Sequence, residues 1–228
     1  MKVEIWSDVV CPWCYIGKRR FEAALARFEH RDQVEVEWKS FELDPTANGG
    51  GTGTYAERLA AKYGTDVPRA QQMLDQMTAA AAVEGLDFRF DLASPANTFD
   101  AHQVIHLAGL RGVQDAVKER LLLAYFTQGS RVGDRVELVR LAAEAGLDAA
   151  EVTAALVAQT HADDVRRDEE QARAFGISGV PFFVIDGKYG VSGAQPPEAF
   201  SQIARQVWAE RSVQDDAEES AVEAPVAG

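Results

Sequence analysis

Two cysteines stand three positions apart, as Cys11-Pro12-Trp13-Cys14, and they are the only cysteines in the chain. Beside a β-α-β pattern such a pair reads as a redox motif. The thiolate is the attacking species, and the positive end of a helix dipole stabilises it. Cys11 is expected at a helix N-cap, with Pro12 at the first helical position, where a missing N–H costs nothing. In this reading Cys11 is the exposed nucleophile with a lowered pKa. Cys14, one turn later and more buried, resolves the mixed disulfide. A second element lies far along the chain, Ile177-Ser178-Gly179-Val180-Pro181-Phe182. A proline directly before a strand inside a sheet lacks a ladder donor. A cis Val180–Pro181 bond in a tight turn would account for it.

The elements that must position these residues follow from the apolar pattern. Residues 2–6 fit a buried central strand, with Glu4 the odd member. A helix is expected over 12–29, with Ile16, Phe21, Leu25 and Phe28 as its apolar stripe. Residues 34–41 alternate, Val34, Val36 and Trp38 against Glu35, Glu37 and Lys39, as a half-exposed strand does. Asp44-Pro45 ends that strand, and ANGGGTGT (47–54) is a loop. From Tyr55 to about Asp164 the chain is Ala- and Leu-rich at helical spacing, with four or five helices expected. A helix over 165–175 with Gly176 as its cap, a strand over 182–186, an Asp186-Gly187 hairpin and a last helix from Pro196-Pro197 complete the order. That last helix carries Phe200, Ile203, Val207 and Trp208 on one face.

The segments SDVVCPWCYIGKRRFE, NTFDAHQVIHLAG, YFTQG, VGD and FGISGVPFFVIDGKYGVSGAQ resemble the FrnE-like branch of the DsbA family over about residues 1–210. The resemblance implies an α/β, thioredoxin-like fold with an inserted all-helical subdomain. Residues 1–54 and 165–211 would form the core and 55–164 the insert. It also implies disulfide exchange on protein, peptide or small-thiol substrates, with Cys11, Cys14 and Pro181 at the family's functional positions. The chain departs from the periplasmic type of that family at Trp13, where a histidine is usual. The thiolate then loses a positive neighbour, so a strongly oxidising potential is not expected.

Other candidates surround this pair. Pro12, Trp13, Val180, Pro181 and His102 are candidate substrate-binding residues, Trp13 as an apolar rim. His102 either faces the redox site or lines a groove as an ordinary helix residue. Glu4 is a candidate proton acceptor for Cys14, against a plain strand position; Asp8 is a second candidate, favoured as a turn or cap residue. Lys18, Arg19 and Arg20 are expected on a solvated helix face. Phe182 and Phe183 are expected in the core. His102 and His106 are four apart and with the cysteines would give a Cys₂His₂ set, but the pairs lie far from finger spacing, and no metal is expected.

Composition narrows the class. The net charge of −13 over 228 residues comes without a clustered basic face, which argues against a nucleic-acid partner. The N-terminal stretch MKVEIWSDVV is broken by Glu4 and Asp8 and does not read as a secretory leader. With no apolar run of membrane-spanning length, a cytoplasmic location without a membrane partner is expected. The acidic stretch 212–228, with Asp215, Asp216, Glu218, Glu219 and Glu223, is expected to be a disordered extension. No organic cofactor is needed, with glutathione a candidate co-substrate, and the assembly is expected to be a monomer or homodimer. Two other classes stay open: a glutathione-dependent isomerase or transferase, similar to 2-hydroxychromene-2-carboxylate isomerase or the kappa-class glutathione transferases, and a non-catalytic client-binding or zinc-binding module.

Overall fold

The computed structural model describes residues 1–50 and 53–222. Gly51 and Thr52 of the expected loop, and residues 223–228 of the expected tail, lie outside the described residues. One mixed sheet of four strands has the order β2-β1-β3-β4. Strand β1 (Lys2–Ser7) runs parallel to β2 (Glu35–Ser40), with Ile5 opposite Trp38. On its other side it runs antiparallel to β3 (Phe182–Ile185), which pairs in turn with β4 (Tyr189–Ser192). Asp186 and Gly187 both take positive φ, 49° and 65°, and so make the tight turn between β3 and β4.

Alternation along β1 divides its side chains between two faces. Val3 and Ile5 join the main core. Trp6 packs in a smaller cluster with Ala172, Ile177 and Val184. On the first face lie α1 (Pro12–Ala26) and α9 (Pro197–Val222). Phe21 meets Phe200 edge-on at 5.7 Å, and Phe28 meets Trp208 in the same way at 5.7 Å. Helix α1 ends at Ala26, three residues short of the expected end, and Phe28 still reaches the core from beyond the cap. On the second face lies α8 (Ala162–Ala174). Its Asp168 carbonyl accepts from the Trp6 indole N–H at 2.9 Å.

Among the described residues between β2 and α8 come six helices rather than four or five: α2 (Tyr55–Tyr63), α3 (Val67–Val83), α4 (Phe99–Leu110), α5 (Gln114–Phe126), α6 (Arg135–Glu144) and α7 (Ala149–Ala158). Several breaks lack proline; α4 and α5 are parted only by Arg111–Val113, where Gly112 takes φ 71°. These helices share their apolar surface with the sheet, and Ile5, Ile16, Leu121, Leu141 and Leu156 belong to one continuous core. This is the α/β, thioredoxin-like arrangement with helices inserted between its halves.

Helix α9 continues to Val222, past the expected boundary at 211. Ala217, Glu218, Glu219 and Ala221 are good helix formers in this stretch, which has neither Gly nor Pro to stop the helix. At the free edge of β2, the side-chain amide of Gln114 accepts from the Trp38 N–H at 2.8 Å and donates to the Trp38 carbonyl at 3.1 Å. Asp168 takes the Ser40 N–H at 2.8 Å on the same strand.

Candidate active site

Strand β1 runs into the turn at Asp8–Val10, and α1 starts at once. Cys11 is the N-cap of α1, in extended conformation (φ −92°, ψ 112°), and Pro12 follows in the first turn. The Cys11 Sγ accepts from the Cys14 backbone N–H at 3.3 Å. It donates to the Val180 carbonyl at 3.5 Å. The Val180–Pro181 peptide is cis. The loop can approach because Gly17 faces it: a Cβ on Gly17 would lie 2.9 Å from the Pro181 Cγ. An isolated glycine within a helix pattern was the available sign of this contact. Beside the loop lies a cavity of about 370 Å³, lined by Ser178, Gly179, Val180, Pro181, Ser192 and Gly193 among others.

The structure thus brings Cys11, Cys14, Pro12, Trp13, Val180 and Pro181 together. Both cysteines are free thiols. Cys11 is not the exposed group expected: it is 4% exposed and Cys14 1%. Trp13, at 41% exposed, forms the outward rim. The Cys11 thiol is pushed well above its ordinary value rather than lowered. Burial is the largest cause, followed by the hydrogen bond and negative charge of Cys14; the Cys14 amide works the other way, and the Asp8 charge adds to the rise. The expected helix-terminus effect is outweighed because the covering loop has removed water.

Glu4 does not sit at the pair. It projects from the opposite face of β1 to Val3 and Ile5 and is neutralised by Lys39 at 3.5 Å and Lys2 at 3.7 Å. A one-residue step along a strand reverses the face, which removes Glu4 from the α1 side. The carboxylate behind the cysteines is Asp8, fully buried. Its Oδ2 accepts from the Leu43 N–H at 2.8 Å, and its Oδ1 lies 3.3 Å from the His102 Nε2. Burial works to raise the Asp8 carboxyl. The His102 hydrogen bond and charge, the Leu43 amide and the Lys118 charge outweigh it, and Asp8 is held below its ordinary value. His102 is fully buried on α4, and its Nδ1 has no hydrogen-bond partner. It reaches the redox pair's surroundings through Asp8, not through a groove open to substrate.

Sequence reasoning passed over Lys118, which α5 sends into this wall at 1% exposure. Its Nζ lies 3.4 Å from the Ser7 carbonyl and 5.4 Å from the Trp38 ring centre. Burial lowers its pKa to about 8, against the pull of Cys14, Asp8 and Cys11. A lone lysine between helical residues carries no sign of burial in the sequence. Tyr55, at the start of α2, is pushed up to about 12 by burial and by the charge of Cys11, so this helix also borders the pair.

Lys18, Arg19 and Arg20 are paired rather than solvated. Lys18 is buried against Glu22, Asp115 and Glu119; Arg19 meets Glu119, and Arg20 meets Glu84 at 2.6 Å. Phe183 lies in the main core and Phe182 against the smaller cluster. His102 and His106 serve different carboxylates: His106 bonds Asp168 at 3.0 Å and Ser40 at 3.1 Å. Among the described residues, no group of three or more His, Cys, Asp or Glu side chains is arranged to hold a metal ion. No helix among them is long and apolar enough to cross a membrane.

Comparison with known proteins adds the following. Residues 2–204 match the family model described as a DSBA-like thioredoxin domain. The crystal structure of a probable DsbA oxidoreductase, SCO1869 from Streptomyces coelicolor, is 48% identical, with a TM-score of 0.86 and coverage of 92% of this chain and 91% of that one. The uncharacterized protein YwbO of Bacillus subtilis is 30% identical over 202 residues, 88% of this chain and 94% of its own. The cytosolic disulfide reductase DsbM from Pseudomonas aeruginosa, solved with GSH, shares the fold at 18% identity and a TM-score of 0.61, covering 91% of this chain and 99% of its own.

Proposed function

The chain belongs to the DSBA-like thioredoxin domain family, and on that premise we propose that it is a thiol–disulfide oxidoreductase working through Cys11 and Cys14. One observation carries the reading: the Cys11 sulfur sits at a helix N-cap between the Cys14 amide at 3.3 Å and the Val180 carbonyl at 3.5 Å. A substrate sulfur that exchanges with Cys11 arrives beside Val180, whose backbone orients an extended peptide, while Trp13 supplies an apolar rim. Cys14, one turn below, then attacks the Cys11 sulfur and releases the substrate thiol. The substrates are protein or peptide thiols and disulfides of the FrnE-like kind. In the cytoplasm glutathione or a thioredoxin-like partner restores the working state.

The direction of flux follows from the thiol. A strongly oxidising member of this chemistry stabilises its reduced form through a low-pKa thiolate. Here burial pushes the Cys11 thiol up. Net reduction or isomerisation fits this better than strong oxidation. The test is the reduction potential of the pair in a glutathione buffer, with mass spectrometry of the intramolecular disulfide. A two-electron transition in the reducing half of the range from roughly −270 to −120 mV is expected. A chain that forms no Cys11–Cys14 disulfide is not an oxidoreductase of this kind. Cys14→Ser separates the glutathione-dependent isomerase or transferase class, since dithiol turnover is lost in that variant and glutathione conjugation or isomerisation survives it.

A further inference from the structure

Lys118 is a buried cation without an ion pair. Its contrast is Lys18, equally buried but held by three carboxylates, Glu22, Asp115 and Glu119. Among the described residues no carboxylate lies within ion-pair range of the Lys118 Nζ; its neighbours are the Ser7 carbonyl at 3.4 Å and the Trp38 ring. A buried ammonium with no fixed counter-charge is disfavoured, and lysine is almost never fully buried unpaired. The charged and titratable groups near enough to act on it are Cys14, Cys11 and Lys18 from α1 and Asp8 from the turn after β1. Asp8 is already engaged by His102 and the Leu43 amide. The remaining negative charge that this position can meet is one that comes and goes with the redox cycle.

We propose that Lys118 is the counter-charge of the Cys14 thiolate, holding as an ammonium the proton that Cys14 gives up. The inference rests on the oxidoreductase reading for its place in a cycle, although the ion pair itself does not require turnover. In the mixed disulfide, substrate sulfur is bonded to Cys11, Cys14 is a thiolate and Lys118 an ammonium. The Cys14 sulfur attacks the Cys11 sulfur, and a bond forms between them. The Cys11–substrate bond breaks, and its electron pair leaves on the substrate sulfur. That sulfur takes up one proton and departs as a thiol. Lys118, now buried beside a neutral disulfide, gives up one proton. Charge is zero before and after, the pair of electrons gained by the substrate is the pair lost by the two cysteines, and no further oxidant enters. An amine that titrates near neutral pH can make both moves.

Lys118 also ties the helical insert to the chemistry. It stands on α5, and α1 and the turn after β1 carry the groups it serves. The insert thereby contributes to the electrostatics of the pair, besides roofing it.

The test isolates Cys14 in a Cys11→Ser background of the full chain and follows the thiolate absorbance near 240 nm against pH. With Lys118→Met the Cys14 titration is expected to move up by about one pH unit or more relative to the same chain with Lys118, and Lys118→Arg is expected to reverse that move. Methionine replaces the stem volume without the charge, a change that buried sites often accept. An unchanged titration in a folded Lys118→Met chain overturns the proposal. A second measurement needs no substitution: the Lys118 Nζ followed by NMR against pH in wild-type protein. The ammonium is expected to lose its proton at lower pH in the disulfide form than in the dithiol form, and equal values in the two forms overturn the proposal. Failure of the Cys11–Cys14 disulfide to form in wild-type protein would instead remove the oxidoreductase reading, leaving the Cys14 titration to judge the ion pair alone.

Discussion

Asp8, His102 and Lys118 are held behind the cysteines by three different parts of the chain, the turn after β1, α4 and α5. The shifts of Asp8 and Lys118 contribute to stability with opposite signs. Asp8 has a folded pKa below its ordinary value near 3.8, so its contribution is present at neutral pH and is lost as pH falls through the folded value. Urea unfolding from pH 6 down to about 2 should show a steeper loss of midpoint in the wild type than in Asp8→Asn. Parallel curves would mean that Asp8 is not held low. Gly17 makes a different prediction. An alanine there meets Pro181 at 2.9 Å, and the proline belongs to the loop that takes the Cys11 thiol. Gly17→Ala is expected to cost about 1–3 kcal/mol and to slow disulfide exchange by pushing the loop outward. Thermal melts and a stopped-flow exchange assay measure the two effects. The residues legible in the sequence were those in short contiguous motifs, Cys11-Pro12-Trp13-Cys14 and Gly179-Val180-Pro181. Asp8 read as a turn residue and Lys118 did not register, because their burial depends on helices that arrive from more than ninety residues away.

Among the elements, one side chain of α8 is tied to both the sheet and α4. The Asp168 carboxylate takes the Ser40 N–H at 2.8 Å, meets Lys39 at 3.3 Å and bonds His106 of α4 at 3.0 Å. Burial tends to raise this carboxyl, but His106, the Ser40 amide and Lys39 hold it below its ordinary value. Asp168→Ala strands the Ser40 amide and takes one partner each from Lys39 and His106, and a loss of about 1–3 kcal/mol is expected from urea midpoints at pH 7. Asp168→Asn should recover part of this loss through the Ser40 bond alone. The element order was readable because apolar period changes from two to near 3.6 between strands and helices. The count of helices within 55–164 was not, since a boundary such as Gly112 breaks a helix without interrupting its composition. The face of Glu4 was misjudged for a related reason: period-two alternation tells which residues share a face, and the side on which α1 packs decides which face is the active one.

At the scale of the whole molecule, the insert and the sheet share one core, from Val3 and Ile5 through Leu121 and Leu141 to Leu156. The inserted helices pack on one another and on the sheet within this one continuous core. Unfolding in urea should therefore be a single transition, with tryptophan fluorescence and far-ultraviolet circular dichroism coincident. Two resolved transitions would indicate that the insert is stabilised on its own.

The amide of Gln114 has a bearing on how copies of the chain meet. A strand at the margin of a sheet offers unpaired N–H and C=O groups that recruit a neighbour's strand, the first step of ordered aggregation. On β2 Gln114 occupies the Trp38 N–H and carbonyl, and Asp168 occupies the Ser40 N–H. Those groups of the margin are thereby withheld from an incoming chain, and concentrated protein should stay dispersed. Gln114→Leu reopens it with little change of volume. Light scattering on heating is expected to rise earlier in that variant, and a rise at the wild-type temperature would mean that the protection comes from elsewhere.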